Sequence, residues 1–337
     1  MAILNPDTIR KIKDIQRMIP SRVPFTGSTF CPRLWNSVFI TAKGEIFTCC
    51  RNVPIPSFGN LHRTPLKKAW NSGSARFWRR MSIHGGLYCF DKCHLLSREE
   101  RETVYDPALH PFENPYENLK NVTLLFGEFC NISCIMCDQN HRSKVMLSAA
   151  LIEKQIDWQG VECVNIQGGE PLAMKECKRA YLHITETEGK KVNFLTNGML
   201  INDKWADKIA RNSLRITVSL NAVDKETHEQ VNLRSNWERV IDNCKRLINA
   251  RNRLRTDLCI IAHFTMVKEN LTQVPDFIGL SEALGFDEVN YGFDNCIPDH
   301  LRAHPEIRDD LRKRSRAALG AAGIKVDTRQ FVRLGFL

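Results

Sequence analysis

The chain has no stretch approaching the roughly 20 apolar residues that a membrane span needs. Its N-terminus, from Met1 through Asn5-Pro6-Asp7 into a basic pattern with helical spacing, has neither the apolar core nor the cleavage site of an export signal. An even cysteine count is also missing. Thirteen thiols leave one over, and a chain of 337 residues buries a core without staples, which argues against a disulfide scaffold and for a reducing, cytoplasmic setting. Acidic side chains are in deficit, 38 against 48 basic, for a net charge of +10. The aromatic platforms that interleave with basic residues in single-strand grooves are not evident, so nucleic acid is not an expected partner. Hydrophobic residues at 43% and charged residues at 26% are globular values that exclude wholesale disorder. What the chain has in excess is cysteine without disulfide use, and that points to metal.

The cysteines stand at 31, 49, 50, 89, 93, 130, 134, 137, 163, 177, 244, 259 and 296. The tightest group is Cys130-Asn-Ile-Ser-Cys134-Ile-Met-Cys137, spaced C-x3-C-x2-C, and three thiolates on so short a loop can converge on one small inorganic core. Zinc normally recruits a fourth ligand, and His141 stands four residues on. An iron–sulfur cluster accepts three protein ligands when something else completes its fourth iron. The spacing leaves both open.

The surroundings are a regular alternation. A short apolar run, Val122 to Phe126, reads as a strand feeding the cysteine loop. Further strands are expected at 162–167, 191–196, 214–220, 257–267 and 287–293, and helices at 144–158, 173–188, 203–211, 225–250, 273–284 and 305–320. Six strand–helix units imply an α/β fold with a parallel sheet, a partial (β/α)6 barrel, whose chemistry gathers at the C-terminal strand ends. There lie the cysteine loop, Gly168-Gly169-Glu170-Pro171, Thr196-Asn197-Gly198 and Ser219-Leu220-Asn221.

Over about residues 120–295 these motifs together resemble the radical S-adenosylmethionine superfamily. The resemblance implies a 4Fe-4S cluster on Cys130, Cys134 and Cys137 whose fourth iron is chelated by the amino acid part of S-adenosylmethionine. It implies that Gly168, Gly169 and Glu170 meet the methionyl amine, where glycines allow close backbone approach and a carboxylate suits an ammonium. Met136 matches the apolar position beside adenine, and Ser219 and Asn221 match the polar positions at the ribose. Many members have Asp where this chain has Asn221. Arg234 resembles an arginine paired with the ligand carboxylate. Asn197 stands with the cofactor contacts, against a plain reading as a turn residue in left-handed geometry.

A second cysteine set lies upstream. Val38 to Cys49 reads as a hairpin turning at Lys43-Gly44, and residues 64–80 read as a helix with Thr64-Pro65 at its start. Paired cysteines on such elements describe a zinc ribbon. With Gly44 ahead of Cys49, Gly59-Asn60-Leu61 and the Leu66-to-Trp70-Asn71 helix, the segment also resembles the SPASM or twitch auxiliary domain. That resemblance implies a second 4Fe-4S cluster on Cys31, Cys49, Cys89 and Cys93, with Cys50 as the neighbour that could replace Cys49. In most members this module follows the barrel; here it precedes it. The expected organisation is an N-terminal helical extension over 1–30, the auxiliary domain over 31–96, a linker over 97–119, the barrel over 120–298 and a basic C-terminal helix and tail over 299–337.

Residues 61–82 carry six basic side chains and no acidic one, and the last 37 residues carry nine basic and four acidic. Solvated helix faces explain such runs, and docking of an acidic flavodoxin- or ferredoxin-type electron donor is the functional alternative. Cys163, Cys177, Cys244 and Cys259 read as small core residues. Cys296 follows the sixth strand at the mouth, where a thiol could return a hydrogen atom to a substrate radical. The resemblance implies an oxidoreductase or epimerase that abstracts hydrogen from a peptide or protein side chain, or else from a small polyol, amino sugar or nucleoside. About 30 residues precede Cys31, fewer than a separate leader-binding domain needs. A zinc-stabilised nucleic-acid-binding protein is the reading from another class.

Overall fold

A computed structural model of the chain describes residues 31–49, 57–83 and 112–337. Cys50, Cys89, Cys93, the N-terminal extension and residues 97–111 of the expected linker lie outside the described residues. Contacts divide the chain into two units, Met1–Gly127 with Val145–Asn165 and Arg179–Lys190, and Glu128–Lys144 with Ile166–Lys178 and Lys191–Leu337.

In the first unit the expected hairpin is present as β1 (Ser37–Ile40) and β2 (Glu45–Phe47), with β3 (Gly59–Asn60) added antiparallel to β2. Gly44 closes the turn at φ +75°, a conformation that costs glycine nothing. The strand expected at 122–126 is β4 (Asn121–Leu125), and β1 lies parallel to it with Val38 opposite Val122. The strand order is therefore β4-β1-β2-β3, and the cysteine-bearing hairpin is hydrogen-bonded to the first strand of the strand–helix series. The helix expected over 64–80 is two, Leu66–Trp70 and Gly73–Ile83. Arg79 sits beneath them with no exposed surface. Its guanidinium donates to the carbonyls of Leu34 (3.0 Å) and Trp70 (2.8 Å) and to Asn71 Oδ1 (2.7 Å), and it stacks on the rings of Trp35 and Trp70.

The remaining strands are β5 (Ser133–Cys134), β6 (Cys163–Gln167), β7 (Val192–Thr196), β8 (Ser213–Ser219), β9 (Asn232–Leu233), β10 (Cys259–Met266), β11 (Glu288–Phe293) and β12 (Lys325–Val326). Within the second unit β7, β8, β10, β11 and β12 are neighbours in that order, all parallel, so the α/β expectation of a mostly parallel sheet holds. The alternation in these strands decides which side chains can do chemistry. Ile216, Val218, Ile260, Ala262, Phe264, Val289 and Tyr291 are buried on one face, where Phe264, Phe277, Tyr291 and Phe331 form a ring cluster with centroids 4.6 to 6.1 Å apart. Each such side chain contributes about 1.5–3 kcal/mol by leaving water. Thr217, Ser219, His263, Thr265 and Asn290 occupy the opposite positions and keep partial exposure.

The expected helix over 225–250 is a correction. It is two helices, Lys225–Val231 and Trp237–Leu254, separated by β9. Each has its own cap: Asp224 Oδ1 accepts from Thr227 N–H and Asn236 Oδ1 from Arg239 N–H, both at 2.9 Å. Cys177 and Cys244 are core residues as expected, whereas Cys163 and Cys259 are half-exposed. Among the described residues no helix is long and apolar enough to cross a membrane.

Candidate active site

The loop Glu128–Lys144 carries the three clustered cysteines and is pinned to itself and to β9. Cys130 N–H donates to the His141 carbonyl at 3.2 Å, Ser133 Oγ meets His141 Nδ1 at 2.9 Å, and β5 pairs antiparallel with β9 through Cys134 and Asn232. All three thiols are half-exposed. Burial pushes the Cys134 thiol up to about 12, and Cys130 and Cys137 add to the shift; burial likewise raises Cys130. A metal held by these thiols would have to displace their protons, which the larger charge of the ion makes possible. Among the described residues no three His, Cys, Asp or Glu side chains close on a single ion. Three soft donors on one short loop fit the separate irons of a cluster.

Gly169 lets the end of β6 lie against this loop. A Cβ there would stand 2.2 Å from the Phe129 carbonyl oxygen, which Glu170 N–H uses as its acceptor at 2.9 Å. The Glu170 side chain has no exposed surface. Its carboxylate accepts from Leu172 N–H (3.0 Å), Thr196 Oγ1 (3.0 Å) and Asn197 N–H (2.8 Å). Burial raises its pKa to about 7, opposed by the Asn197 and Leu172 N–H groups and the Thr196 hydroxyl.

Asn197 joins that carboxylate to the cysteine loop. Its Nδ2 donates to Asn131 Oδ1 at 2.9 Å and lies 3.6 Å from Cys130 Sγ, while its Oδ1 accepts from Met199 N–H at 3.0 Å. The left-handed residue of this turn is Gly198, at φ +78°.

A second chain of amides starts at Cys134. Its thiol donates to Asn232 Oδ1 at 3.2 Å, the same oxygen accepts from Asn221 Nδ2 at 2.9 Å, and Asn221 Oδ1 accepts from Thr265 N–H at 2.8 Å. Asn221 takes φ +60°, a conformation asparagine tolerates. Ser219 pairs in register with His263, and His263 with Asn290. His263 Nδ1 lies 2.5 Å from Asn290 Oδ1 and its Nε2 lies 3.0 Å from Thr265 Oγ1. Burial lowers the His263 pKa, and the hydrogen bond to Asn290 opposes the shift.

The predicted residues thus fall into two groups, Cys130 with Gly169, Glu170 and Asn197, and Cys134 with Asn221. Met136 and Gly168 are half-exposed, and Arg234 is exposed at φ +69° just past β9. Cys296 is exposed ahead of the helix Ile297–Ala303, with its thiol raised by the Asp294 carboxylate. In the first unit, Cys31 is buried with its N–H on Ser82 Oγ at 2.8 Å, and Cys49 is half-buried. Asn131, Thr265, His263, Asn232 and Asn290 are hydrogen-bonded into these groups and were not singled out by the motif reading. The recurring signal was a short amide or hydroxyl at each strand end. The basic runs are largely spoken for: Arg79 is buried, Lys67 and Arg76 pair with Asp157 and Glu113, and Arg302, Arg312, Arg314, Lys325 and Arg329 have carboxylate partners.

The family model of the radical SAM superfamily matches residues 124–280, and that of SPASM, an iron–sulfur cluster-binding domain, matches residues 31–94. The GTP 3',8-cyclase of Rhodopirellula baltica is 30% identical over 178 residues, covering 50% of this chain and 45% of that protein. The probable GTP 3',8-cyclase of Sulfurisphaera tokodaii is 25% identical over 179 residues, covering 51% and 55%. The chain thus spans about half the length of these curated relatives. Streptococcus suis SuiB bound to its precursor peptide SuiA superposes with a TM-score of 0.48 at 15% identity, covering 75% of this chain and 62% of SuiB. The chain belongs to the radical S-adenosylmethionine superfamily and carries a SPASM iron–sulfur domain on the N-terminal side of its radical SAM domain.

Proposed function

We propose that Cys130, Cys134 and Cys137 hold the 4Fe-4S cluster of this radical SAM enzyme, and that it abstracts hydrogen from an unactivated carbon of a peptide or protein substrate. One observation carries the site assignment. Asn197 connects the Cys130 sulfur to the buried Glu170 carboxylate, so the cysteine loop and the ends of β6 and β7 form one hydrogen-bonded assembly. When bound, the cluster supplies an electron that cleaves S-adenosylmethionine to a 5'-deoxyadenosyl radical. The protein's own work is positional. Glu170 anchors the Gly168-Gly169 backbone that is proposed to meet the methionyl amine. Asn221, fixed by Thr265 and Asn232, and Ser219 would hold the ribose, Met136 would lie beside the adenine, and Arg234 would meet the ligand carboxylate.

Cys31, Cys49, Cys89 and Cys93 are proposed to hold an auxiliary 4Fe-4S cluster that either takes the electron of the substrate radical, making the net change an oxidation, or relays electrons. Electrons would come from a flavodoxin- or ferredoxin-type donor. A second reading is favoured by the curated relatives, which are named GTP 3',8-cyclases: the same radical chemistry on a nucleotide or other small molecule, with a rearrangement in place of oxidation.

Anaerobic reconstitution tests the proposal. The holoenzyme is expected to be brown, to bind about eight irons per chain as two four-iron clusters, and to release 5'-deoxyadenosine from S-adenosylmethionine under dithionite. The triple variant C130A/C134A/C137A should keep about half of that iron and make no 5'-deoxyadenosine. Continued product from that variant sinks the assignment, and a colourless zinc protein indifferent to S-adenosylmethionine returns the chain to the zinc reading. Incubation with GTP and, separately, with a peptide pool, followed by mass spectrometry, decides between the two substrate classes.

A further inference from the structure

We infer that Asn197 tunes the redox potential of the proposed cluster by holding a side-chain N–H on the Cys130 thiolate. The inference rests on the proposed role of Cys130 as a ligand.

The orientation of the Asn197 amide is settled by its surroundings. Its Oδ1 accepts Met199 N–H at 3.0 Å, so the Nδ2 end must face the cysteine loop. One Nδ2 proton goes to Asn131 Oδ1 at 2.9 Å, and the other is the donor to Cys130 Sγ at 3.6 Å. The residue is 8% exposed, and its backbone N–H is held by the buried Glu170 carboxylate at 2.8 Å. The amide is thus locked from three directions, and in partly dry surroundings a fixed dipole acts strongly. Cys134 meets the opposite polarity. Its side-chain partner is Asn232 Oδ1, an oxygen already accepting from Asn221 Nδ2 at 2.9 Å, while Asn232 Nδ2 is committed to the Leu220 carbonyl at 3.0 Å. Among the described residues, Asn197 is the only side chain that donates to one of the three sulfurs.

An N–H aimed at a cluster thiolate withdraws electron density from it and favours the reduced, more negative state, which raises the potential. Without it, reduction becomes harder and S-adenosylmethionine cleavage slows. Asn197 is therefore a positioning residue for the electron, beyond its proposed place among the cofactor contacts.

The test is an EPR-monitored redox titration of the anaerobically reconstituted full chain, following the signal that the C130A/C134A/C137A variant lacks. N197L, which removes the N–H, is expected to lower the reduced fraction at a fixed solution potential about tenfold, equivalent to about 59 mV for one electron. N197D keeps an acceptor for Met199 N–H but replaces the donor by charge, and should shift further in the same direction. The dithionite-driven cleavage rate should fall in N197L in step with its potential. Potentials equal to wild type in the variants that load the cluster, or a shift to higher potential, overturn the inference. A wild-type measurement guards against variants that fail to load: with 15N-asparagine the reduced cluster should show a 15N hyperfine coupling, and its absence rejects the contact. Loss of the signal's dependence on the three cysteines would instead undo the cluster assignment, a separate failure.

Discussion

Glu170 and Asn197 are joined by a hydrogen bond of 2.8 Å from the Asn197 backbone N–H to a carboxylate that has no exposed surface. A charge so placed is costly unless donors surround it, and three do. They do not fully compensate, since burial leaves the Glu170 carboxyl with a pKa of about 7. The folded state therefore binds this proton more tightly than the unfolded chain. Its stabilising contribution is complete below the ordinary carboxyl range near pH 4.5 and is lost as pH rises through about 7. The full span is on the order of 3 kcal/mol. Chemical denaturation of wild type and E170Q between pH 5 and 8.5 is expected to show a difference that shrinks as pH rises, because glutamine keeps its hydrogens throughout. A difference that stays flat with pH would mean that the carboxyl is ionised across the whole range.

Gly169 is glycine because of distance. A Cβ at that position would stand 2.2 Å from the Phe129 carbonyl oxygen and 2.5 Å from that of Glu128, and backbone cannot retreat as the end of a side chain can. Gly169→Ala should separate the strand-end loop from the cysteine loop, destabilise the protein by about 3 kcal/mol and reduce the iron retained by the three-cysteine site. Gly279 lies inside the helix Asp276–Leu284, where an added Cβ would meet nothing within 4 Å beyond the helix's own backbone. Gly279→Ala should therefore raise stability by about 0.5–1 kcal/mol. Urea melts and iron analysis of the two variants check the contrast. Equal effects at both positions would remove the steric argument.

The sequence periodicity located the strands because their alternation is strong and their ends carry glycine and asparagine. Thus β7, β8, β10 and β11 fall within two residues of the expected ranges. The three cysteines and Gly168-Gly169-Glu170 stand out in the sequence for the same reason, as short motifs at strand ends. The break in the helix after Val231 was not. Residues 225–250 keep a helical apolar spacing throughout, and only the pairing of Asn232 with Cys134, a contact 98 residues apart in sequence, shows why the chain leaves the helix. His263 looked like any strand residue. Its partners Thr265 and Asn290 are defined by sheet register, which a single strand does not reveal. Cys89 and Cys93 lie outside the described residues, so the auxiliary set rests on spacing and family resemblance.

Asn221 stands where many superfamily members have aspartate, and the amide chain gives a physical reason. Its Nδ2 supplies the proton that Asn232 Oδ1 accepts, while its Oδ1 takes Thr265 N–H. An aspartate would keep the second bond and set oxygen against oxygen in the first. Asn221→Asp is expected to destabilise the fold by about 1–3 kcal/mol, with the loss greatest where the new carboxylate is charged. Adding N232S, which removes the opposing amide oxygen, should recover part of it. A double-mutant cycle measured by denaturation checks this, and additivity of the two changes would show that the residues do not communicate.

Arg79 makes the last case, and it concerns the N-terminal unit alone. The side chain is fully buried, its guanidinium is shared among the Leu34 and Trp70 carbonyls and Asn71 Oδ1, and it lies 4.5 Å from the Trp70 ring centroid. Burial lowers its pKa to about 9, which still leaves it cationic at neutral pH. Asn71 also accepts Asn114 N–H, and Asn114 Nδ2 donates to the Trp35 carbonyl at 2.7 Å. The guanidinium thus ties the helix Leu66–Trp70 to the segment around Asn114 through several oxygens at fixed angles. Lysine has no planar fork and places one strongly hydrated ammonium in the same pocket. Arg79→Lys should therefore cost about 3–5 kcal/mol, more than a surface exchange of the same residues, which lies within about 0.5 kcal/mol. Arg79→Met removes the charge and leaves the carbonyls without donors, and should cost less than lysine if desolvation dominates and more if the hydrogen bonds do. Melting both variants beside Arg302→Lys, an exposed control, orders these contributions, and a lysine variant as stable as wild type would show that the fork is not what holds this unit together.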